Sequence, residues 1–416
     1  MVDSSRRVRL QSKKSIRRWP AVIASLLFVG TGAWAAASTR ASSINPTHAT
    51  HASSAQAARG TPARVKQNEA PVPIKTAPEV IVGRLSLDRF KDNISRLAGF
   101  GTRYWRSTGN ERARDWIQGQ LESFGYAVQR HEIRIAAPLD QLLTTGEDSV
   151  YATKIGTVRP HEMYIVAAHM DSFNTQSADH SFAPGADDDG SGTALVLELA
   201  RVLASPDIET DVSVRFIFWN AEEIGLVGSR TYVRDRLPLQ GIEVPPGSGI
   251  FPEPRWLGVV QHDMILFDHG LPDPLTGLLA DRQIAGADID IEYDAANSNG
   301  GGAIALASKL LAANSRYAPL YPAEVGQFMC CTDSVPFAPF APAISIRENE
   351  RRAEIGRGAN PHWHKNSDVF ATYRDEDFLL GFTAVQMSAG GIAELAGARL
   401  VARYRQPRNI ASALAR

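Results

Sequence analysis

The chain has 416 residues, of which 44% are hydrophobic and 21% are charged, a composition that is ordinary for a folded protein. Its 44 Lys and Arg residues nearly balance its 45 Asp and Glu residues. This balance does not support nucleic acid as a partner, because nucleic-acid-binding proteins normally present a basic surface. The two cysteines are too few for a disulfide framework.

Positive charge is concentrated at the amino terminus, where seven Lys and Arg residues fall within the first eighteen positions. An apolar run from Trp19 to Gly30 and several small residues follow, so residues 1–37 are predicted to be an export signal. The run is also just long enough to be an uncleaved membrane anchor, and Arg17-Arg18 is compatible with a twin-arginine signal. We expect a periplasmic or extracellular protein, with membrane contact only through an uncleaved segment.

Two further regions follow the signal. Residues 38–79 are rich in Ala, Ser, Thr and Pro and contain few large apolar side chains, which predicts a disordered linker. Residues 80–416 are predicted to form the catalytic domain. Apolar residues at helical spacing over 85–97 and 110–124 predict two helices there, and alternation after Gly125 predicts a strand up to Ile133.

The rest of the domain has the pattern of an α/β protein. Nearly continuous apolar runs predict central strands covered on both faces at 162–168, 212–219, 256–260 and 343–346. Helical patterns occupy 193–204, 303–314 and 376–397. Residues 235–255 and 267–302 are predicted to be irregular loops that border a cleft. The predicted fold is a mostly parallel central sheet flanked by helices on both faces.

Three consecutive carboxylates, Asp187 to Asp189, lie between glycines just before the helix predicted at 193–204. An Asp and Gly cluster on its own is usually a solvated turn. In this chain Ser191 or Thr193 is expected near the helix cap, so backbone N–H groups would face the carboxylates.

Polar clusters also follow three of the predicted strands, and they read His169-Met-Asp171, Asn220-Ala-Glu-Glu223 and Gln261-His-Asp263. Ligands of open α/β sheets bind beyond the carboxyl ends of the strands, so these clusters can converge with the Asp run. Converging carboxylates raise one another's pKa values, at a cost of about 1.4 kcal/mol per pKa unit. A divalent metal ion bound by His and carboxylate ligands removes that cost, and a metal site is therefore predicted.

In order, these motifs resemble those of the co-catalytic di-zinc exopeptidases, which are typified by bacterial leucyl aminopeptidases and aminopeptidase Y. The resemblance extends over about residues 85–400 and rests on five motifs: His169-x-Asp171, Pro184 to Gly192, Asn220 to Gly225, His262 to Met264, and His364-x-x-x-Asp368. It implies a zinc aminopeptidase-like (phosphorylase/hydrolase-like) fold, two Zn²⁺ ions and peptide substrates. The implied activity is that of a secreted metalloprotease, a hydrolase that acts as an exopeptidase and most closely resembles an aminopeptidase.

The resemblance also implies the role of individual residues. The implied metal ligands are Asp188, which bridges both ions, His169 and Asp263 on one ion, and Glu223 and His364 on the other. Glu222 would be the general base that accepts a proton from the attacking water and passes it to the leaving amine. Asp171, two residues after His169, is placed to accept the other ring N–H of that imidazole. In this family the peptide bond after the bridging aspartate is commonly cis, which here is Asp188 to Asp189.

Neighbouring residues leave some alternatives open. His362 competes with His364 as a ligand, and the spacing to Asp368 favours His364. Asp368 is also expected to cap the turn that follows it, whereas His262 is expected to be a packed strand histidine. The adjacent Cys330 and Cys331 depart from the family pattern, because neighbouring cysteines either form a strained ring or remain thiols. Their segment is expected to line the specificity pocket, where Phe328 and Met329 favour an apolar group.

Other functions on the same scaffold differ in what they require. A carboxypeptidase needs a basic residue for the terminal carboxylate, and Arg347, Arg351 and Arg352 lie in the appropriate region. An aminoacylase-type hydrolase is also compatible with the motifs. A glutaminyl cyclase uses one zinc ion and does not need the first histidine, so the presence of His169 disfavours it. A metal-free binding domain would have lost ligands that this chain retains.

Overall fold

The computed structural model describes residues 75–137, 141–268, 289–327, 329–348 and 360–401. The predicted export signal and nearly all of the predicted linker lie outside these residues. In chain order the helices are α1 (Ala77–Val82), α2 (Leu87–Ala98), α3 (Thr108–Ser123), α4 (Gly190–Leu203), α5 (Val227–Arg236), α6 (Gly300–Tyr317) and α7 (Asp375–Leu395). The strands are β1 (Val128–Ala137), β2 (Gln141–Lys154), β3 (Arg159–His169), β4 (Ile208–Glu209), β5 (Val212–Trp219), β6 (Arg255–His262), β7 (Ile289–Tyr293), β8 (Ala323–Gly326), β9 (Ala343–Arg347) and β10 (Arg399–Leu400).

Eight strands form one mixed sheet in the order β1-β2-β5-β3-β6-β9-β7-β8. The four adjacent central strands β5, β3, β6 and β9 run parallel to one another. Antiparallel pairing joins β1 to β2, β2 to β5, and β7 to β9, while β7 and β8 are parallel. The predicted mostly parallel sheet is therefore confirmed, and its parallel part is the centre, where both faces must be covered.

Alternate residues of the central strands pack into two hydrophobic cores, one on each face of the sheet. In β5, for example, Phe216 and Phe218 belong to the larger core, whereas Ile217 and Trp219 belong to the smaller one. Residues of α4, α6 and α7 complete the larger core, and Tyr232 of α5 completes the smaller one. The prediction of helices on both faces is confirmed.

Helix α7 is the one helix among the described residues that is long and apolar enough to cross a membrane, but most of it is buried within the protein. It packs closely against α6. A Cβ atom built on Gly390 would lie 2.2 Å from the ring of Tyr317, and one on Gly391 would lie 2.7 Å from Leu310. Glycine at these positions therefore allows the two helices to approach each other.

Two boundaries differ from the sequence prediction. Helix α1 begins at Ala77, inside the predicted linker, because Thr76 and Glu79 form a capping box and Pro78 lies in the first turn. Helix α4 begins at Gly190, earlier than predicted. Its cap is Asp189, whose side chain accepts the N–H of Gly192, rather than Ser191 or Thr193.

The segment 267–302, predicted to be irregular, contains regular structure. Strand β7 is completely buried, although two of its five residues are acidic. One of them, Glu292, lies 3.3 Å from the guanidinium of Arg347, so its charge has a buried partner. The three glycines from Gly300 open α6. Of the segment 235–255, also predicted to be irregular, residues 240–254 contain neither helix nor strand, whereas Asp235 and Arg236 end α5, residues 237–239 form a 3-10 helix and Arg255 begins β6.

The contact between α6 and α7 predicts the effect of a small substitution. Gly390→Ala should lower the free energy of unfolding by about 1–3 kcal/mol, because the added methyl group overlaps the ring of Tyr317. Gly119→Ala is a matched control on an exposed part of α3 with no atom within 4 Å of the new Cβ. It should raise stability by about 0.5–1 kcal/mol. Urea unfolding measures both, and equal effects of the two substitutions would contradict the prediction.

Candidate metal centre

The polar clusters identified in the sequence meet at one edge of the sheet, at the carboxyl ends of β3, β5 and β6. His169 is the last residue of β3, Glu222 and Glu223 lie in the turn after β5, and Asp263 directly follows β6. Asp188 lies just before the amino terminus of α4. The convergence expected from the sheet topology is present.

Asp188 connects two sets of side chains that can bind metal. Its Oδ1 lies 3.3 Å from His169 Nε2, and its Oδ2 lies 3.1 Å from His364 Nε2. Asp263 Oδ1 lies 3.7 Å from His169 Nε2, and Glu223 Oε2 lies 3.0 Å from His364 Nε2. Within each set of three, all ligand atoms lie within 4.8 Å of one another. The five predicted ligands therefore form two sets that share Asp188.

Backbone contacts fix the Asp run in this position. Asp368 accepts the N–H groups of Asp187 and Asp188 at 2.9 and 3.2 Å, so it holds the run, and its Oδ1 also accepts the hydroxyl of Tyr373 after the following turn at 2.8 Å. The carboxylate of Asp189 accepts the N–H of His169 at 3.0 Å and also caps α4. The peptide bond between Asp188 and Asp189 is cis, as the resemblance implied.

Arg103, which the sequence analysis did not identify, donates hydrogen bonds to the loop before α4. It is fully buried, and its Nε donates to the carbonyl of Met170 at 2.8 Å. Its two Nη atoms donate to the carbonyls of Pro184 and Gly185. Burial lowers the pKa of Arg103, and the carboxylates around it oppose this shift. A single arginine in a connecting loop carries no signal by which the sequence alone would reveal this role.

Asp171 makes a contact in addition to the one predicted with His169. Its carboxylate accepts the backbone N–H groups of Glu222 and Glu223, both at 3.2 Å. The Nδ1 atom of His169 lies 3.2 Å from the backbone carbonyl oxygen of Asp171 and 3.6 Å from its carboxylate. The carbonyl is therefore the nearer acceptor for His169, while the carboxylate orients the turn that bears Glu222 and Glu223.

Arg347 is a second contributor that the sequence analysis did not place at the centre. Its Nη2 donates to Asp263 Oδ2 at 2.7 Å, and its Nε lies 3.3 Å from Glu292 Oε2. All three side chains are buried. Burial alone would raise the pKa of Asp263, but Arg347 and then His169 hold it well below its usual range. Asp263 therefore remains ionised and fixed in position.

The two glutamates have raised pKa values. Burial raises the pKa of Glu222 well above its usual range; the charge of His169 opposes the shift, whereas the charges of Asp333 and Glu223 add to it. Burial also raises the pKa of Glu223 to about 7, and the charge of Asp188 contributes. Asp333 is a buried carboxylate that the sequence analysis left within the specificity segment, and it accepts a hydrogen bond from Ser229.

The residues fit a pair of zinc ions. Each set offers imidazole nitrogen and carboxylate oxygen, which are the usual ligands of catalytic zinc. The buried Oε1 of Glu223 has no hydrogen-bond partner among the described residues, which is unfavourable unless a cation or water lies beside it. The contact of His169 Nδ1 with a carbonyl would orient the ring so that Nε2 faces the ion.

The remaining histidines and the cysteines have other surroundings. His262 Nδ1 lies 3.1 Å from the carbonyl of Ala167 and its Nε2 lies 2.9 Å from Ser388 Oγ, as expected of a packed strand histidine. His362 contacts Ser367 through Nδ1 at 2.9 Å and belongs to neither set. Cys330 and Cys331 form no disulfide bond. Phe328, Arg351 and Arg352 lie outside the described residues.

Comparison with known proteins identified a family model, that of peptidase family M28, which matches residues 150–379. Leucine aminopeptidase 1 of Neurospora crassa is 29% identical over 203 residues, which cover 47% of this chain and 50% of that protein. A probable zinc metalloprotease of Pyrenophora tritici-repentis is 31% identical over 191 residues, covering 42% and 38% of the two chains. The chain thus spans about half the length, or less, of these relatives.

Solved structures show the same fold at lower identity. The LapA aminopeptidase of Legionella pneumophila superposes with a TM-score of 0.56 at 20% identity, over 80% of this chain and 78% of that one. A glutaminyl cyclase of Bacteroides thetaiotaomicron superposes with a TM-score of 0.53 at 17% identity, over 74% and 97% of the two chains. The shared fold therefore includes proteins named for different reactions.

The environment of His364 predicts how the stability of the metal-free protein depends on pH. Burial alone would lower the pKa of His364, but the carboxylates of Asp188 and Glu223 outweigh it and raise the pKa from 6.5 to about 10. A pKa that is higher in the folded state stabilises the protein fully below the unfolded value of 6.5, and this stability is lost as pH rises through about 10.

The test is to measure the free energy of unfolding of chelator-treated protein at about pH 6 and about pH 10. The difference between wild type and His364→Gln should be larger at the lower pH. His161→Gln, at an exposed histidine, is the control and should follow the wild type at both values. If the difference in free energy of unfolding between wild type and His364→Gln is the same at both pH values, the raised pKa of His364 is contradicted.

Proposed function

The chain belongs to peptidase family M28, and from this membership we propose that it is an exported zinc aminopeptidase, which removes the amino-terminal residue of peptide substrates. The observation that carries the proposal is the pair of ligand sets joined by Asp188. The names of the fungal leucine aminopeptidases and the zinc metalloprotease support both the metal and the reaction.

The proposed cofactors are two Zn²⁺ ions, one held by His169, Asp188 and Asp263 and the other by Asp188, Glu223 and His364. When bound, such a pair polarises the scissile carbonyl and lowers the pKa of the attacking water. The protein fixes the positions of the ligands through Arg347 on Asp263 and Asp368 on the backbone of Asp188.

Glu222 is the proposed general base. It accepts a proton from the attacking water and donates it to the nitrogen of the leaving amine, so the peptide C–N bond breaks and the carboxylate is regenerated. Burial raises its pKa, and a carboxylate with a raised pKa is a stronger base towards the proton of the water. The backbone N–H of Glu222 is held by Asp171, which places the side chain beside the ligand Glu223.

An aminopeptidase is favoured over a carboxypeptidase by the surroundings of Arg347. That guanidinium is buried between Asp263 and Glu292, so it is already engaged and does not offer its charge to a terminal carboxylate. A glutaminyl cyclase, which uses one zinc ion, is disfavoured because His169, Asp188 and Asp263 form a complete ligand set in addition to that of Glu223 and His364. The retention of both sets likewise argues against a metal-free binding domain.

Export is the part of the proposal that rests on the sequence alone. The basic first eighteen residues and the apolar run after them support cleavage near residue 37, with an uncleaved anchor as the alternative. Amino-terminal sequencing of protein recovered outside the cytoplasm tests this. Full-length protein found only in the cytoplasm would refute export.

The first prediction separates metal binding from catalysis. Glu222→Gln should retain two metal ions per chain, because Glu222 belongs to neither of the two proposed ligand sets, and should lose about 100- to 10,000-fold in kcat. Asp188→Ala should lose metal as well as activity, because both ligand sets share this residue. Metal analysis and steady-state kinetics give both quantities. Glu111→Gln, in the first turn of α3, is the control. A fully active Glu222→Gln enzyme would exclude Glu222 as the base.

A second prediction concerns the free amino group of the substrate. An aminopeptidase recognises this group, so a leucyl peptide should be cleaved much faster than its N-acetylated form, and chelator should abolish both rates. Hydrolysis is followed by the release of free leucine or acetyl-leucine. Equal rates for the two peptides would show that the enzyme is a metallopeptidase but not an aminopeptidase.

A further inference from the structure

Among the five proposed ligand side chains, that of His364 is the most exposed to solvent. The side chain of His364 is 21% exposed, whereas those of His169, Asp188, Glu223 and Asp263 are 1, 6, 4 and 4% exposed. The other ligands are held by buried groups: Arg347 donates to Asp263, Asp189 accepts the N–H of His169, and Asp368 accepts the N–H of Asp188. Among the described residues, a path from the centre to solvent therefore passes His364.

Aromatic rings border this opening. We call Tyr104, Phe173, His180 and Trp363 the aromatic rim. The rings of Trp363 and Phe173 lie 4.5 and 5.1 Å from the ring of His364, centroid to centroid. Tyr104 stacks on His180 at 4.0 Å, and Phe173 lies 4.8 Å from His180. Trp363 is 37% exposed although it is a large apolar side chain. The rim thus continues directly from a metal ligand to the protein surface.

Hydrogen bonds hold the segments of the rim together. Thr175 donates to the carbonyl of His364 through both its N–H and its hydroxyl, each at 2.9 Å. Asn174 donates to Asn366 at 2.6 Å, and Thr102 donates to the carbonyl of His180 at 2.8 Å. The rings are therefore presented by a fixed framework, which lowers the entropic cost of binding a ligand against them.

An exopeptidase constrains the path of its substrate. The residue on the amino side of the scissile bond ends the chain, so its site can be enclosed. The peptide on the carboxyl side continues, so it has to leave the centre through the opening. At that opening the first side chain after the scissile bond meets the aromatic rim.

We propose that the aromatic rim binds the side chain of the residue that follows the scissile bond, and that the enzyme therefore favours peptides with an aromatic or large apolar residue at that position. This inference rests on the proposed aminopeptidase function. The preference arises because an apolar side chain that packs against the rings removes apolar surface from water, which lowers the free energy of binding.

The experiment compares dipeptide amides that begin with leucine and differ only in the second residue. Wild-type kcat/KM should be about tenfold higher for leucyl-phenylalaninamide than for leucyl-glycinamide, since burying one apolar side chain is worth about one such factor. Trp363→Ala should reduce that ratio severalfold. Trp363→Glu should shift the preference towards leucyl-lysinamide, because a carboxylate replaces the apolar ring. The matched control is Phe340→Ala, at an exposed aromatic residue before the amino end of β9.

A second readout does not depend on turnover. Phenylalaninamide, the product that leaves past the rim, should inhibit wild type more strongly than glycinamide and should lose this advantage in Trp363→Ala. Metal content is measured on every variant, because Trp363 contacts the ring of His364.

The outcomes separate three cases. If the rim only orients His364, Trp363→Ala will lower kcat/KM equally for all second residues, and the proposal is overturned. A wild-type enzyme without preference at this position also overturns it. If no leucine is released from any peptide by the metal-loaded enzyme, the aminopeptidase function itself fails, which is distinct from a failed preference.

Discussion

The structure depends on keeping many buried carboxylates in one place. Asp188 is surrounded by Asp187, Asp189, Asp263 and Asp368, and all five are buried. Burial of so much like charge is affordable only when each group is paired or hydrogen-bonded. The hydrogen bonds of His169 and His364 lower the pKa of Asp188 well below its usual range, although burial alone would raise it. Such a site is arranged to hold positive charge.

Different devices stabilise the other carboxylates, and each one also fixes geometry. Asp368 and Asp189 accept backbone N–H groups, and Asp263 pairs with Arg347. Asp187 has a pKa raised to about 7, by burial first and then by the charge of Asp368. The groups that balance the charge are thus the groups that position the ligands. Removing one of them would disturb both electrostatics and alignment.

The sequence predicts the central fold, and it also indicates which polar residues converge at the edge of the sheet, because both leave local patterns. Continuous apolar runs mark β3, β5 and β6, and the polar clusters that follow them mark the edge of the sheet where ligands converge. Arg103 and Arg347 leave no such pattern, since they act through long-range contacts made only in the folded chain. Strand β7 was missed for the same reason: Glu292 looks like a surface residue until its pairing with Arg347 is known.

Three non-glycine residues in the ligand motifs have an unusual backbone conformation. Ala221, Met264 and His364 have positive φ angles of 63, 59 and 56°, a region that non-glycine residues rarely adopt. Ala221 precedes the proposed base Glu222, Met264 follows the proposed ligand Asp263, and His364 is itself a proposed ligand. Such conformations cost about 1–3 kcal/mol each and persist where surrounding contacts hold them. At His364 the two hydrogen bonds from Thr175 to its carbonyl stabilise this conformation. The contacts that shape the aromatic rim therefore also keep the proposed ligand in place.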